Sequence, residues 1–575
     1  VAVKITGVPS YLSYSLVNLN GSITLKVSPP AYLIWKGNVD TKWDNGKTSN
    51  WVLNDVPKTF SSNDSVLFND ETTVKSVYFT ESVSPASMLI ETASNYSFTG
   101  TGSIDGVGNI VKKGEGKALF STTNKFTGKL YINEGTVETA TLTNGGVASP
   151  IGAAAKASTN IVLNGGRLSY TGGTVTIDRG FTLGTNGGIL SVGNSSAVLT
   201  TSGQFTGAGR LIKEGPGRLS VAVANNYTGG TTLKAGTIGF TTDVANTSRL
   251  GSADTITFMG GTLNMFDSPT TVNTSSWNLK IPSGYTGTLN VDGNSYIVGT
   301  LTGSGTLNYL TKTTGNVLYS NVAEFGGTVN VSTDADGGSF VLSSDKGYER
   351  AKINLNNLVT MIYRNSSNIV IPVGDLTGTS TSVLGAGGTA TATITWQIGA
   401  RNVNSTFNGK ITNTQYSGTG AVAAINKVGT GTWTLTNDNT FTGGTSILNG
   451  ILMVNNATGS GLGTGFVAVN SDATLSGSGA VSGKIYVYFG GSLSPGNGLG
   501  SFTVNNDVEF QEGSFLTIEI DKSVSKNDTL KTSGTVLMNG ILEINPSETT
   551  AFTNGDSFKI ISGNVSGVPA TITPA

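Results

Sequence analysis

One pattern, written three times at fixed spacing, constrains what this chain can fold into more than any other feature. It runs Lys-x-Gly-x-Gly, nine residues, aromatic-Thr-Gly, then a Gly nine positions after the aromatic. The first copy is Lys112, Gly114, Gly116, Asn124, Phe126, Thr127, Gly128 and Gly135. The second is Lys213, Gly215, Gly217, Asn225, Tyr227, Thr228, Gly229 and Gly236. The third is Lys427, Gly429, Gly431, Asn439, Phe441, Thr442, Gly443 and Gly450. An Asn precedes the aromatic by two positions each time. Weaker echoes, Phe325-Gly326-Gly327 and Phe407-Asn408-Gly409, fall between the second and third copies. A self-similar unit of this length means stacked repeats, each contacting its neighbours.

Helix signals are nearly absent, because Gly or Asn interrupts almost every window that could carry an i, i+3, i+4, i+7 stripe. What recurs is a strand of four to six alternating residues closed by Gly, Asn, Asp or Ser. Asn160-Ile-Val-Leu-Asn164, Gly236-Thr-Ile-Gly-Phe240 and Gly450-Ile-Leu-Met-Val454 are examples. Within the unit, Gly-x-Gly makes a tight corner and Trp433-Thr-Leu-Thr436 gives the next strand. The Asn closes a second corner in αL or an Asx-turn, and the aromatic points inward. No linker breaks the series after about residue 30. The reading is all-β, a right-handed parallel β-helix (solenoid) with a short non-helical β segment at the N-terminus. At roughly 22 residues per coil and about 4.8 Å per coil, some 540 residues predict a rod on the order of 100–120 Å.

Composition closes off several functions. With no His and no Cys among 575 residues, no Ser-His-Asp triad, Cys-His pair, ordinary zinc site or disulfide can be built. The 34 basic and 35 acidic side chains nearly cancel, so no field points to nucleic acid or an anionic membrane. No apolar stretch approaches the roughly 20 residues of a membrane helix. The chain opens Val1-Ala2-Val3-Lys4 without an initiator Met and reads as a processed or excerpted piece.

The Lys-x-Gly-x-Gly…Asn-x-aromatic-Thr-Gly-Gly…Gly unit resembles the autotransporter-associated β-strand repeat, or passenger-associated transport repeat; the first copy departs from it with Lys129. Leu493-Ser-Pro-Gly-Asn497 with Gly500-Ser-Phe-Thr503 is similar to a stretch near the C-terminal end of passenger β-helices. The run from Asp528-Thr-Leu530 to Gly555-Asp-Ser-Phe-Lys-Ile-Ile561 looks like the coils that follow it. Trp35, Trp43, Trp51, Phe60 and Asp64-Ser-Val-Leu-Phe68 resemble the Trp-rich opening of large bacterial surface proteins. This divides the chain into residues 1–30, the end of a preceding β domain or an N-terminal cap with Pro29-Pro30 as joint, and 31–100, the Trp-rich opening and first coils. A β-helix over 101–500 follows, with repeats at 112–135, 213–236 and 427–450, and C-terminal coils over 501–575. The resemblance implies a location outside the cell or on the surface of a Gram-negative bacterium.

Each candidate site has a bland reading beside it. Asp345, Lys346, Glu349, Arg350 and Lys352, with Tyr348 among them and Tyr363-Arg364 after, form the densest charged run, where the repeat is weakest. They mark either a functional insertion or a solvated loop or short surface helix. Asp334-Ala-Asp336-Gly-Gly suggests calcium or an ordinary turn, and Glu519–Asp528 a charged turn between coils. The three tryptophans suggest sugar stacking or, preferentially, a plug for the open end of the core. Asp64-Ser-Val66, Asp254-Thr-Ile256 and Asp528-Thr-Leu530 match a short O-glycan acceptor pattern. The repeat lysines are expected to neutralise neighbours or sit on the surface, and no further role for them follows from the sequence. No catalytic, cofactor-binding or metal residue is assigned. The expected function is a non-catalytic stalk or passenger, structural and adhesive, with host-surface or matrix glycans or proteins as partners. The alternative is a polysaccharide lyase or hydrolase, or its accessory module, with a site near residues 330–365.

Overall fold

The computed structural model describes residues 13–19, 21–28, 31–240, 249–252, 255–265, 273–274, 277–291, 296–297, 299–311, 318–319, 324–333, 337–342, 345–346, 348–363, 367–387, 391–413, 420–546 and 550–574. Its elements are β-strands, with one short 3-10 turn at Ser158–Asn160. The chain forms two compact units, Val1–Thr242 with Asn246–Leu263, and Asp243–Ala245 with Asn264–Ala575.

In the first unit, parallel strands stack along two long faces, with a third added from Val175 onward. One face holds Ser65–Phe68, Ser87–Glu91, Asn109–Lys113, Leu130–Ile132 and Ile161–Leu163 in succession. The second holds Ser76–Phe79, Tyr96–Gly100, Lys117–Phe120, Thr136–Thr139 and Arg167–Tyr170. Ile110 sits on Leu130 and Lys112 on Ile132. This coil advances 20 residues, while Ser65 to Ser87 and Thr306 to Thr328 each advance 22, as the sequence suggested, and the inserted loop stretches Leu130 to Ile161 to 31. Ahead of the stack, Ser13–Leu19 and Ser22–Ser28 pair as a separate antiparallel hairpin, the expected N-terminal segment outside the solenoid.

In the second unit one face runs in parallel through Thr306–Thr311, Thr328–Thr333, Lys352–Leu355, Asp375–Gly378, Ser405–Phe407, Thr432–Leu435 and Gly450–Val454. Another runs through Thr393–Ile398, Val422–Lys427, Thr445–Ile447 and Val467–Val469. Each unit is a parallel β-solenoid. The period-2 alternation decides which side chains enter it: Lys117–Phe120 and Thr432–Leu435 bury every second residue. Burying an aliphatic side chain is worth about 1.5–3 kcal/mol, and every coil places several such residues inside.

Phe126, Tyr227 and Phe441, the repeat aromatics, are all buried, as their spacing predicts. So are Trp35, Trp43 and Trp51, which pack edge-on with ring centroids 5.1 and 5.0 Å apart. Phe60 and Phe79 lie 5.2 Å from Trp43. These rings fill the first coils, out of reach of any sugar in solvent.

Candidate functional site

The repeat is the densest concentration of unusual chemistry, and its centre is the lysine. Strand alternation sends Leu211 inward, Ile212 outward and Lys213 inward, so the ammonium enters the coil. Lys112, Lys213 and Lys427 are at most 1 % exposed. The Lys213 Nζ donates to the carbonyls of Glu214 and Gly215 at 2.6 and 2.8 Å, and to Ala235 one coil on at 3.2 Å. Lys427 repeats this with Val428, Gly429 and Asn449 at 2.9, 2.8 and 3.0 Å. Lys112 donates to Lys113 and Gly114, both at 2.6 Å. Burial pushes all three lysines down to about 8. The carbonyls that hold the ammonium belong to the glycine corner, where Gly215 takes φ +72°. A Cβ on Gly135, at the next corner, would stand 2.8 Å from the Lys112 Nζ. Lysine, Gly-x-Gly and the closing glycine are thus one device joining successive corners.

The repeat asparagine works over three coils. Asn225 Oδ1 accepts from the Phe205 N–H one coil back at 2.7 Å, and its Nδ2 donates to the Arg249 carbonyl one coil forward at 2.6 Å. Asn439 bridges Ile411 and Gly461 at 2.7 and 2.6 Å; Asn124 bridges Ile104 and Pro150, both at 2.9 Å. None of the three has a positive φ. The expected αL or Asx-turn corner is therefore replaced by a buried amide bridge. A side chain spanning 20 residues each way leaves no local trace in the sequence. Two further polar groups take roles that the sequence reading did not give them. Arg179, 1 % exposed, donates to the carbonyls of Thr143, Asn144, Val147, Gly152 and Ala154 and so holds an inserted loop. Asp528 accepts from the Gly500 and Glu519 N–H groups at 2.8 and 3.0 Å, clamping the Leu493–Gly500 turn from the joint between Lys526–Asn527 and Thr529–Met538. Burial raises its carboxyl to about 6.

The charged run divides between solvent and core. Asp345, Lys346, Glu349 and Arg350 are exposed. Tyr348 is buried, its ring 6.1 Å from that of Phe340, and Tyr363 is buried on its strand. Lys352 faces the buried Asp375 at 4.0 Å. Glu349, Arg350 and Arg401 border an open cleft of about 380 Å³, in which the Arg401 Nη1 donates to the Arg350 carbonyl at 2.8 Å. Asp334, Asp336, Asp254 and Arg364 lie outside the described residues. Among the described residues, no three carboxylates converge on a metal position. Glu519–Asp528 forms a tight antiparallel turn between Phe515–Asp521 and Lys526–Asn527. The acceptor-pattern hydroxyls are engaged within the sheets: Ser65 Oγ accepts from Ser87 at 2.9 Å, and Thr529 Oγ1 donates to Lys559 at 3.2 Å.

The profile of the Passenger-associated-transport-repeat matches residues 110–138, 211–238 and 425–454, the three segments holding the caged lysines. Among curated proteins, the chain is similar to the "Adhesin BmaC autotransporter" of Brucella suis biovar 1 (strain 1330), 47 % identical over 123 residues. That alignment covers 21 % of this chain and 4 % of the adhesin. It is also similar to the "Extracellular serine protease" of Serratia marcescens, 34 % identical over 96 residues, covering 17 % of this chain and 9 % of the protease. The matched segments are thus small fractions of much longer relatives.

Proposed function

We propose that this chain, a β-solenoid built on three passenger-associated transport repeats, is a non-catalytic passenger whose lateral faces bind ligands and hold them away from the cell. It belongs to the exterior or surface of a Gram-negative bacterium. One observation carries the proposal: the repeats spend their lysine, asparagine and glycines on joining coil to coil. Those residues make a stiff scaffold, and the chemistry left for recognition lies on outward side chains. The kinship with a named adhesin over 123 residues supports an adhesive role. The protease named in Serratia is similar over 96 residues, yet this chain holds no histidine for a Ser-His-Asp centre. For the polysaccharide-degrading alternative near residues 330–365, Glu349, Arg350 and Arg401 border an open cleft, and among its described lining residues Glu349 is the one carboxylate.

The test presents the purified chain to arrayed glycans and immobilised matrix proteins, beside reducing-sugar and unsaturated-product assays on polysaccharides. Saturable binding without turnover is the expected result. Turnover lost on Arg350→Ala would replace this reading with the enzymatic one.

A further inference from the structure

An outward ladder of amides crosses four successive strands of the second unit. Asn308 stacks in register on Asn330, Asn330 on Asn354 and Asn354 on Thr377. Their side chains join head to tail: Asn330 Nδ2 donates to Asn308 Oδ1 at 3.0 Å, Asn354 Nδ2 to Asn330 Oδ1 at 2.6 Å, and the Thr377 hydroxyl to Asn354 Oδ1. The ladder floors a cleft of about 480 Å³ whose rim includes Thr379, Thr406 and Asn408. That volume is within the range of small-ligand sites. No residue lining it is charged.

Building on the adhesive reading above, we propose that this cleft binds a neutral oligosaccharide lying along the stacking direction. An amide has two N–H donors and two carbonyl lone pairs, and the ladder uses one of each on Asn330 and Asn354. Each therefore still offers a donor beside an acceptor, the pairing that vicinal sugar hydroxyls satisfy. The offer recurs at the strand spacing of about 4.8 Å, close to the advance of an extended pyranose chain per residue. The ladder also fixes the amide orientations before a ligand arrives, which lowers the ordering cost of binding. Uronic or sialic acids would find no cation in the lining. A peptide would gain little, because these strands are already paired on both sides and present no free backbone edge.

The experiment titrates the full 575-residue chain with neutral glucosyl, galactosyl, mannosyl and N-acetylhexosaminyl oligomers. Sialylated and uronic oligomers, polyanionic peptides and matrix proteins serve as comparisons. At least one neutral oligomer is expected to bind, more tightly than its monosaccharide and equally at low and high salt. Asn354→Leu should weaken it at least tenfold. Thr406→Arg, which fills the cleft from the strand after Thr377 and leaves Asn308, Asn330 and Asn354 unchanged, should do the same with an unchanged thermal unfolding profile. Neutral binding undiminished in both variants overturns the proposal, as does binding of acidic oligomers or peptides alone. If matrix proteins are bound equally by parent and variants while neutral oligomers are not, the adhesive reading stands and the cleft assignment falls. If no ligand of any class binds, both fall.

Discussion

A lysine inside a β-core is costly unless its ammonium is fully engaged, and here three backbone carbonyls of two coils engage it. Lys213→Met keeps the stem and removes the donor, leaving the Glu214, Gly215 and Ala235 carbonyls without it. We expect a loss of about 2–3 kcal/mol, read as faster hydrogen exchange in Leu211–Glu214 and Thr231–Leu233. The same burial makes stability depend on pH. With the folded lysines at about 8 and the ordinary value at 10.5, the unfolded chain holds more protons in that window. Stability therefore rises with pH between them, by up to about 3 kcal/mol per lysine. Burial also raises the Tyr96 and Tyr227 phenols, so unfolded tyrosine ionises first and stability falls above the ordinary value of 10.0. Asp528 acts at the acid end: folded at about 6 and ordinarily 3.8, it contributes stability fully below 3.8 that is lost as pH rises to 6. Hydrogen bonds to Asp70 and Glu71 lower their carboxyls, which act the opposite way and lose stability as pH falls. Urea midpoints across pH 3–11 should therefore show Asp528→Asn removing only the loss between 3.8 and 6.

At the scale of strands and corners, the limits are set by how closely one coil lies on the next. Gly217 has an ordinary φ, yet a Cβ there would run into the Asn194 carbonyl of the coil beneath. Gly217→Val should therefore separate two corners and cost several kcal/mol, whereas an outward change such as Ile212→Thr should cost about 1. Arg179→Met is expected to release the loop it holds, exposing residues 143–154 to protease while Ile161–Leu163 stays protected. The strands, corners and inward aromatics were legible because their causes are local: alternation, glycine and spacing. The lysine cage left one trace, since Lys112, Lys213 and Lys427 stand at the inward phase of their strands. A charge at that phase contradicts the usual rule for cores, so the phase alone gave it no partner. The Asn bridges, the Arg179 contacts and the Asp528 bond to Gly500 were illegible because those partners lie 20 to 36 residues away. The amide ladder was hidden for a related reason: Asn308, Asn330 and Asn354 are about two dozen residues apart in a chain full of Asn. The run at 345–352 drew notice by charge density, which reports solvent exposure more often than chemistry.

For the molecule as a whole, a stack of parallel strands has no closure, and each end offers unpaired backbone to another chain. The first unit manages its end with a hairpin. Leu33–Trp35 pairs antiparallel with Trp51–Leu53, which pairs in turn with Val56–Lys58, the last strand of that sheet. All three residues of this edge are exposed, and they include Pro57, which lacks an N–H, and Lys58, whose charge disfavours a docking strand. The buried Trp35–Trp43–Trp51 cluster anchors the hairpin from beneath, so the edge is held in place by the same aromatics that fill the first coils. Pro57→Val with Lys58→Val should leave the fold and the tryptophan environment intact while restoring a continuous, uncharged edge. Sedimentation velocity at matched concentrations should then show larger species in the variant than in the parent, rising with concentration. An unchanged distribution would mean that Pro57 and Lys58 do not guard this end. Trp43→Ala acts from below: it empties a large part of the cluster, with an expected cost of about 3–5 kcal/mol. It should loosen the hairpin and produce the same association together with a lowered thermal midpoint, which separates loss of the anchor from loss of the guard.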